Sequence, residues 1–347
     1  MTPPADPAVR PEPHTVRAAD GRLLVGDLWR AQEPRGAVVV RTPYDARAHA
    51  ALGRGWAARG YDCLVQDVRG RHRSEGDWDP YRHEGLDGAS TLEAVRRDRP
   101  GLPTLLYGAS YAAHTALTAA AAAVASGAPA PDGVVVMVPA LGLAETARDP
   151  DGTPRLRQRI GWWHEHGVDR GSRPPLPAAE LADRVRLARR IGPVAAAERW
   201  GWPTPVQRRW RGLWAAERID VAALVAPLRG PLLTVTGDDD VFDDDARALA
   251  AAWPGPSTLL TGPWGHDLGR HSAPADARTA LHATGGLGGR IEAWLREHEL
   301  PGPATDRAAA ARTTAGTRWR LDPARAAWVP ETATARRRPT PGRTPAA

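Results

Sequence analysis

Short apolar runs separated by amphipathic stretches set the rhythm of this chain. Residues 36–42, GAVVVRT, and 62–68, DCLVQDV, are β-branched runs bounded by Gly, Pro and Asp, with the helical stretch AALGRGWAARG between them. That is the pattern of a βαβ unit. The alternation continues with a helix across Glu84 to Arg97, the run TLLY (104–107), a helix from Tyr111 to about Ala125 and the run GVVVMV (133–138). Strands alternating with helices predict a mostly parallel sheet covered on both faces, an α/β fold. Ahead of them, HTVRAADGRLLVGDLWRAQ alternates apolar and polar residues on both sides of Asp20-Gly21, which predicts an opening hairpin.

From about Ala140 to Pro227 the pattern changes to a Trp- and Arg-rich region with helical patches such as PAAELADRVRLARRIG and no strand run. It reads as an inserted helical cap over 141–228, dividing a core into halves at 16–140 and 229–300. Strand signals return in PLLTVTG (231–237) and STLLTG (257–262), and a closing helix is predicted near the end of DARTALHATGGLGGRIEAWLREHEL. Residues 1–15 read as a disordered Pro-rich leader. Residues 301–347 read as a mostly mobile tail in which TRWRLDPARAAWVP is the one candidate hairpin.

Composition narrows the chemistry. In 347 residues, 42% of them hydrophobic, there is material for a full core. The net charge of +6 arises from 46 basic residues against 40 acids; no lysine occurs, and the arginines are spread along the whole chain. A nucleic-acid face would need clustered charge interleaved with aromatics, and only Arg336-Arg337-Arg338 forms a run, so no nucleic-acid partner is expected. The N-terminus, with acids and five prolines in MTPPADPAVRPEP, does not read as a signal peptide or anchor. No apolar run approaches the roughly 18 residues of a spanning helix, so a soluble cytoplasmic protein is the expectation. A single cysteine, Cys63 in a strand-like run, excludes an internal disulfide and reads as a buried thiol. No metal-ligand spacing occurs, and neither metal nor cofactor is expected.

The candidate chemistry begins at Gly108-Ala109-Ser110-Tyr111-Ala112, between TLLY and an Ala-rich helix. A nucleophile elbow needs a sharp strand-to-helix turn, with small residues two before and two after the serine to avoid backbone clashes. The hydroxyl then stands at a helix N-terminus, where the next N–H can bind an oxyanion. An elbow requires, in order, an acid after a later strand and a histidine after the strand beyond it. PLLTVTG runs into Asp238-Asp239-Asp240, and STLLTG into Pro263-Trp264-Gly265-His266. His266 is the first choice of base and His271 the second. Tyr44 follows the strand GAVVVRT, at the sheet edge where α/β proteins place their ligands.

Several separated strings resemble the cocaine esterase / X-prolyl dipeptidyl-peptidase family of α/β-hydrolases. They are Arg41-Thr42-Pro43-Tyr44-Asp45, Gln66-Asp67-Val68-Arg69-Gly70, Ser74-Glu75-Gly76-Asp77-Trp78, Gly108-Ala109-Ser110-Tyr111, Gly237 to Phe242, and Gly262-Pro263-Trp264-Gly265-His266. Together they cover about residues 16 to 300. The resemblance implies an α/β-hydrolase fold with Ser110 as nucleophile, Asp240 as orienting acid and His266 as base. It also implies an oxyanion hole made by the Tyr44 hydroxyl and the Tyr111 backbone N–H. Asp240 rests on alignment to Phe242, with Asp239 and Asp238 as alternatives, while Asp243 to Asp245 begin a helix. Arg69 and Glu75 are expected to pin loops, Trp264 to shape the pocket wall, and the cap tryptophans to form a core.

The chain departs from the family where Asp238-Asp239 replaces Trp-Tyr and Ala112 replaces glycine, and no C-terminal jelly-roll domain is expected in it. Asp149, Asp151 and Glu165 are candidates only by location for holding a substrate α-amino group. The expectation is a serine hydrolase that cleaves an ester or amide of a small or medium acyl substrate, or a short peptide, through an acyl-serine. The alternatives are a hydrolase-fold acyltransferase, cyclase or epimerase, or an X-prolyl peptidase.

Overall fold

The computed structural model describes residues 10–300 and 316–331. Its strands are β1 (Glu12–Arg17), β2 (Leu23–Trp29), β3 (Gly36–Thr42), β4 (Tyr61–Asp67), β5 (Thr104–Ala109), β6 (Gly133–Met137), β7 (Leu232–Val235), β8 (Ser257–Thr261), β9 (Thr317–Asp322) and β10 (Ala327–Pro330). Among the described residues they form one sheet in the order β1-β2-β4-β3-β5-β6-β7-β8-β9-β10. From β4 through β9 every neighbour is parallel, and antiparallel pairs close both ends.

Strands β3, β4 and β6 are buried at every position, as parallel strands covered on both faces must be. Alternate residues therefore feed two different cores. Val38, Val40, Cys63, Val65 and Val135 pack on one face with Trp56 of α1 (Ala50–Ala57). Val39, Leu64, Val134 and Val136 pack on the other with Leu92 of α2 (Glu84–Asp98) and the alanines of α3 (Tyr111–Ala125). The small side chains of α3 let its backbone lie close to the sheet, and ten of its fifteen residues are buried.

Between β6 and β7 the chain forms α4 (Leu143–Ala147), α5 (Leu156–Trp162), a π-helical turn Trp163–Gly167, α6 (Ala178–Ile191), α7 (Pro193–Arg199), α8 (Thr204–Ala215) and α9 (Val221–Val225). The insertion has its own core, in which Trp210 stands edge-on to Trp163, Trp202 and Trp214 at centroid distances of 5.4, 5.2 and 5.3 Å. Each such pair contributes about 0.5–1.5 kcal/mol beyond the area it buries. Helix α9 packs Val225 with Leu228 against the sheet, although it falls inside the span read as cap. After β7 come α10 (Asp243–Ala252), α11 (Ala275–Ala283) and α12 (Gly286–Glu297); α11 and α12 pack on the face that carries α1.

At the ends, one expectation is corrected and one, the hairpin over 317–330, is met. The leader is not unstructured to residue 15, because β1 begins at Glu12 and pairs Glu12 with Leu28 and Pro13 with Asp27. Proline is tolerated there because β1 is an edge strand. Within the tail, residues 317–330 add β9 and β10 to the sheet, since β8 still offers an open edge to pair with. Residues 1–9, 301–315 and 332–347 lie outside the described residues. Among the described residues no helix is long and apolar enough to cross a membrane.

Candidate active site

The loops at the carboxyl ends of β3, β5, β7 and β8 meet at one place. Ser110 joins β5 to α3 with φ 55° and ψ −122°, a left-handed conformation costing a non-glycine residue about 1–3 kcal/mol. Three bonds hold it there: Ser110 N–H donates to Met137 O (2.9 Å), and Ser110 O accepts from Ala113 (3.0 Å) and Ala140 (3.2 Å). The turn is so tight that a Cβ at Gly108 would stand 1.9 Å from the Ala112 carbonyl oxygen. Glycine is required there. The Tyr111 N–H, first in α3, is one of the donors that a helix start leaves without an intrahelical acceptor.

His266 Nε2 lies 3.0 Å from Ser110 Oγ, and His266 Nδ1 lies 2.8 Å from Asp240 Oδ1. The imidazole is 45% exposed while the Asp240 carboxylate is fully covered. Contact with a buried carboxylate through Nδ1 fixes the ring tautomer and leaves Nε2 turned to Ser110 Oγ, the arrangement a general base needs. The neighbouring aspartates are placed elsewhere. Asp238 accepts from Arg320 Nη1 of β9 at 2.8 Å, and Asp239 is exposed. His271 is also exposed and donates its backbone N–H to Asp267 (2.6 Å).

Tyr44 sits on a loop fixed from several sides. Its N–H donates to Thr42 Oγ1 (3.1 Å), Arg71 Nε donates to Pro43 O (3.0 Å), and Ala46 N–H donates to Asp67 Oδ1 (2.7 Å). The Tyr44 hydroxyl faces Ser110 and accepts a 3.0 Å bond from the indole N–H of Trp162 in α5. Indole can only donate, so this contact occupies an oxygen lone pair and leaves the Tyr44 proton free to be given. Burial pushes the Tyr44 ionisation up, opposed by the contacts of its hydroxyl with Trp162 and Ser110 and by the guanidinium groups of Arg159 and Arg71. At neutral pH it is a neutral donor. An oxygen bearing negative charge beside Ser110 would thus meet two donors, Tyr44 O–H and Tyr111 N–H.

The remaining motif residues brace these loops. Arg69 Nε donates to Asp87 (2.9 Å), and Leu23 N–H donates to Glu75 (2.9 Å), tying the opening hairpin to the loop after β4. Trp264 corrects its expectation: it is fully buried in the core, not on a pocket wall. A Cβ at Gly237 or Gly262 would stand 2.1 Å from Trp264 atoms, so these two glycines make the space it fills.

Sequence reasoning missed several neighbours of the site. Trp162 is one; tryptophans at 162 and 163 point about 100° apart on a helix, and only Trp163 is fully buried in the insertion core. Tyr81 adopts a left-handed φ of 68° and packs 4.5 Å from the Tyr111 ring. The Tyr111 hydroxyl in turn donates to buried Glu84 and accepts from Tyr81 N–H at 3.0 Å. Arg155, buried, donates to Val241 O (2.6 Å) and to Asp149 (2.7 Å), and its guanidinium lies 5.2 Å from the Phe242 ring, which stands edge-on to His266.

The parallel sheet, the helices on both faces, and a serine, a histidine and an aspartate meeting at its carboxyl edge define an α/β-hydrolase. The chain belongs to the X-Pro dipeptidyl-peptidase (S15) family, whose model matches residues 20–267. It is similar to the cocaine esterase of Rhodococcus sp. (strain MB1 Bresler), with 25% identity over 309 residues covering 78% of this chain and 51% of that protein. The chain therefore spans about half the length of this curated relative. Among solved structures, an aminopeptidase from the marine sediment archaeon Thaumarchaeota archaeon superposes with TM-score 0.60 at 17% identity, over 95% of this chain and 60% of its own. An α-amino acid ester hydrolase gives 0.57 at 15%, over 92% and 57%, and a Pyrococcus furiosus esterase 0.56 at 14%, over 83% and 91%.

Proposed function

We propose that the protein is a serine hydrolase that cleaves an ester or amide bond of a small or medium acyl substrate through an acyl-Ser110 intermediate. The observation that carries this reading is the row Ser110 Oγ–His266–Asp240, at 3.0 and 2.8 Å, on a strained elbow. In the proposed reaction Ser110 Oγ attacks the carbonyl carbon while His266 Nε2 takes the hydroxyl proton and Asp240 stabilises the imidazolium. The carbonyl oxygen gains negative charge between Tyr44 O–H and Tyr111 N–H. Collapse returns the proton to the leaving alcohol or amine, and a water activated by His266 then releases the acid.

Membership of the S15 family and the likeness to an esterase keep ester and X-prolyl amide cleavage within one class. Two of the three acids considered for holding a free α-amino group are otherwise engaged, while Glu165 is half-buried with its Oε2 3.9 Å from His166 Nε2. Asp149 is bound to Arg155, and Asp151 accepts from Thr153 N–H in an exposed turn, so neither is positioned to hold an ammonium group. The test is labelling with a fluorophosphonate probe together with burst release from p-nitrophenyl acetate. Both are expected in the native protein and absent in Ser110→Ala; a native protein that neither labels nor turns over the ester would refute the reading.

A further inference from the structure

The insertion contributes a positive charge that no acid balances. Arg159, on the middle of α5, is packed against aromatic rings beside the candidate nucleophile. Its guanidinium lies 5.4 Å from the Trp162 ring centroid, on the residue whose indole holds the Tyr44 hydroxyl. Among the described residues it forms no ion pair with a carboxylate, and its buried Nε has no hydrogen-bond partner. Arg209 and Arg290 also leave Nε without a partner, but Asp79 and Asp77 act on the first and Glu297 on the second, and other arginines of the interior have bonded partners. Arg41 lies 3.7 Å from Asp87, and Arg155 pairs with Asp149. Arg71 spends Nε and Nη1 on the carbonyls of Pro43, His166 and Asp169.

Arg159 is half-buried, and an arginine partly withdrawn from water without a counter-charge carries a cost that is recovered when an anion arrives. The groups around Arg159 do not supply one. Tyr44 and Tyr81 are neutral, since burial raises both hydroxyls, and His166, 4.9 Å from Tyr44, is held down to about 4 by burial and by the neighbouring arginines. Desolvation lowers the Arg159 pKa, but a guanidinium is not deprotonated in proteins, so the charge stays.

We propose that Arg159 is a specificity-determining residue that binds a carboxylate carried by the substrate near its scissile bond. This deepens, and rests on, the serine hydrolase reading. A planar guanidinium fork suits a carboxylate, and the aromatic walls of Trp162, Tyr44 and Tyr81 suit the short carbon chain that joins the carboxylate to the reacting carbonyl. The sign of the charge is opposite to what capture of a free α-amino group requires.

Two ester pairs, each a carboxylate and its neutral methyl ester, test this and locate the carboxylate. On the acyl side, mono-p-nitrophenyl glutarate is compared with its methyl ester; on the leaving-group side, 4-acetoxybenzoate is compared with its methyl ester. In at least one pair the charged member is expected to be preferred by about tenfold or more in kcat/KM, mainly through KM. Arg159→Gln should bring that ratio close to one, and Arg159→Lys should keep part of it. Preference for the uncharged member in both pairs, or an unchanged ratio in Arg159→Gln, overturns the proposal. Binding gives a reading independent of turnover: glutarate and 4-hydroxybenzoate are titrated calorimetrically into Ser110→Ala, and at least one should bind and weaken tenfold when Arg159→Gln is added. No binding of either overturns the proposal. The hydrolase reading fails differently, through absence of fluorophosphonate labelling and of turnover with every ester, whereas failure of the anion reading leaves labelling and neutral-ester turnover in place.

Discussion

The sheet and the helical insertion furnish opposite sides of the site and hold them by different physics. On the sheet side, Ser110, Tyr44, Asp240 and His266 stand on short loops held by bonds to neighbouring strands, to buried side chains or within the loop, as in Ser110 N–H to Met137 O, Ala46 N–H to Asp67 Oδ1 and Asp240 N–H to Gly237 O. On the insertion side, Trp162 and Arg159 ride on a helix of seven residues anchored by packing, with Ile160 and the following Trp163 buried in a tryptophan core. Hydrogen-bonded loops fix atoms to tenths of an ångström, as an attacking oxygen requires; a packed helix fixes a wall. The sheet thus carries the proposed bond-making groups and the insertion the groups that orient and select.

The sharpest way to break that division is to remove one group from each side. Ser110→Ala and His266→Ala should each lower ester turnover by about ten-thousandfold with little change in melting temperature. Trp210→Ala, at the centre of the insertion core, should do the reverse. Its loss leaves a cavity among Trp163, Trp202 and Trp214 and is expected to cost about 3–5 kcal/mol in chemical unfolding. If the two sides were one cooperative active-site unit, fluorophosphonate labelling of Ser110 would fall in proportion. Tyr44→Phe comes next: removing one of the two proposed oxyanion donors should lower kcat about a hundredfold to a thousandfold with KM nearly unchanged.

The sheet side was also the legible one. GAVVVRT at 36–42 coincides with β3 because a parallel strand buried on both faces needs an unbroken β-branched run, and few other elements do. The elbow and the order serine, acid, histidine are local signals at strand ends, and the nearer histidine, His266, is the one beside Ser110. The choice among three consecutive aspartates was not local. Asp238 is taken by Arg320, 82 residues away in the strand β9, and nothing near Asp238 in the chain announces it. Trp264 was misread although a signal existed: Gly237 and Gly262 at the ends of adjacent strands are what an inward-facing indole needs. Arg159 was illegible for the plainest reason. In a chain with 46 basic residues, one arginine lacking a partner looks like all the others until the partners are seen.

The junction between the two sides is itself titratable. Asp245, in the first turn of α10, is 6% exposed and meets Arg218 from the end of the insertion. Burial raises its carboxyl to about 6, an effect that Arg218 opposes and Glu145 reinforces. The folded state therefore holds this proton more tightly than the unfolded chain, and stability at this site is lost as pH rises from about 4 through about 6. Between about pH 4.5 and pH 7 the loss should be about 2 kcal/mol. Urea unfolding of native protein and Asp245→Asn at the two pH values should show it as a slope that the variant lacks. An equal slope in both would place the pH dependence elsewhere and make the junction electrically silent.

The smallest effect is the one that joins the two sides directly. Trp162→Phe keeps a ring to stack on Tyr111 and removes the N–H that occupies the Tyr44 oxygen. Without that bond the Tyr44 hydroxyl can rotate, and part of its time is spent donating away from Ser110. One lost hydrogen bond of this kind corresponds to about 1 kcal/mol, or roughly fivefold in kcat, with KM little changed. The informative measurement is the same substitution made in Tyr44→Phe, where no hydroxyl remains to be oriented. There Trp162→Phe should have almost no effect on kcat, so that the coupling equals the whole of its single effect. A fivefold loss repeated in that background would mean that the indole acts by shaping the wall, and that the insertion touches the chemistry only through the space it encloses.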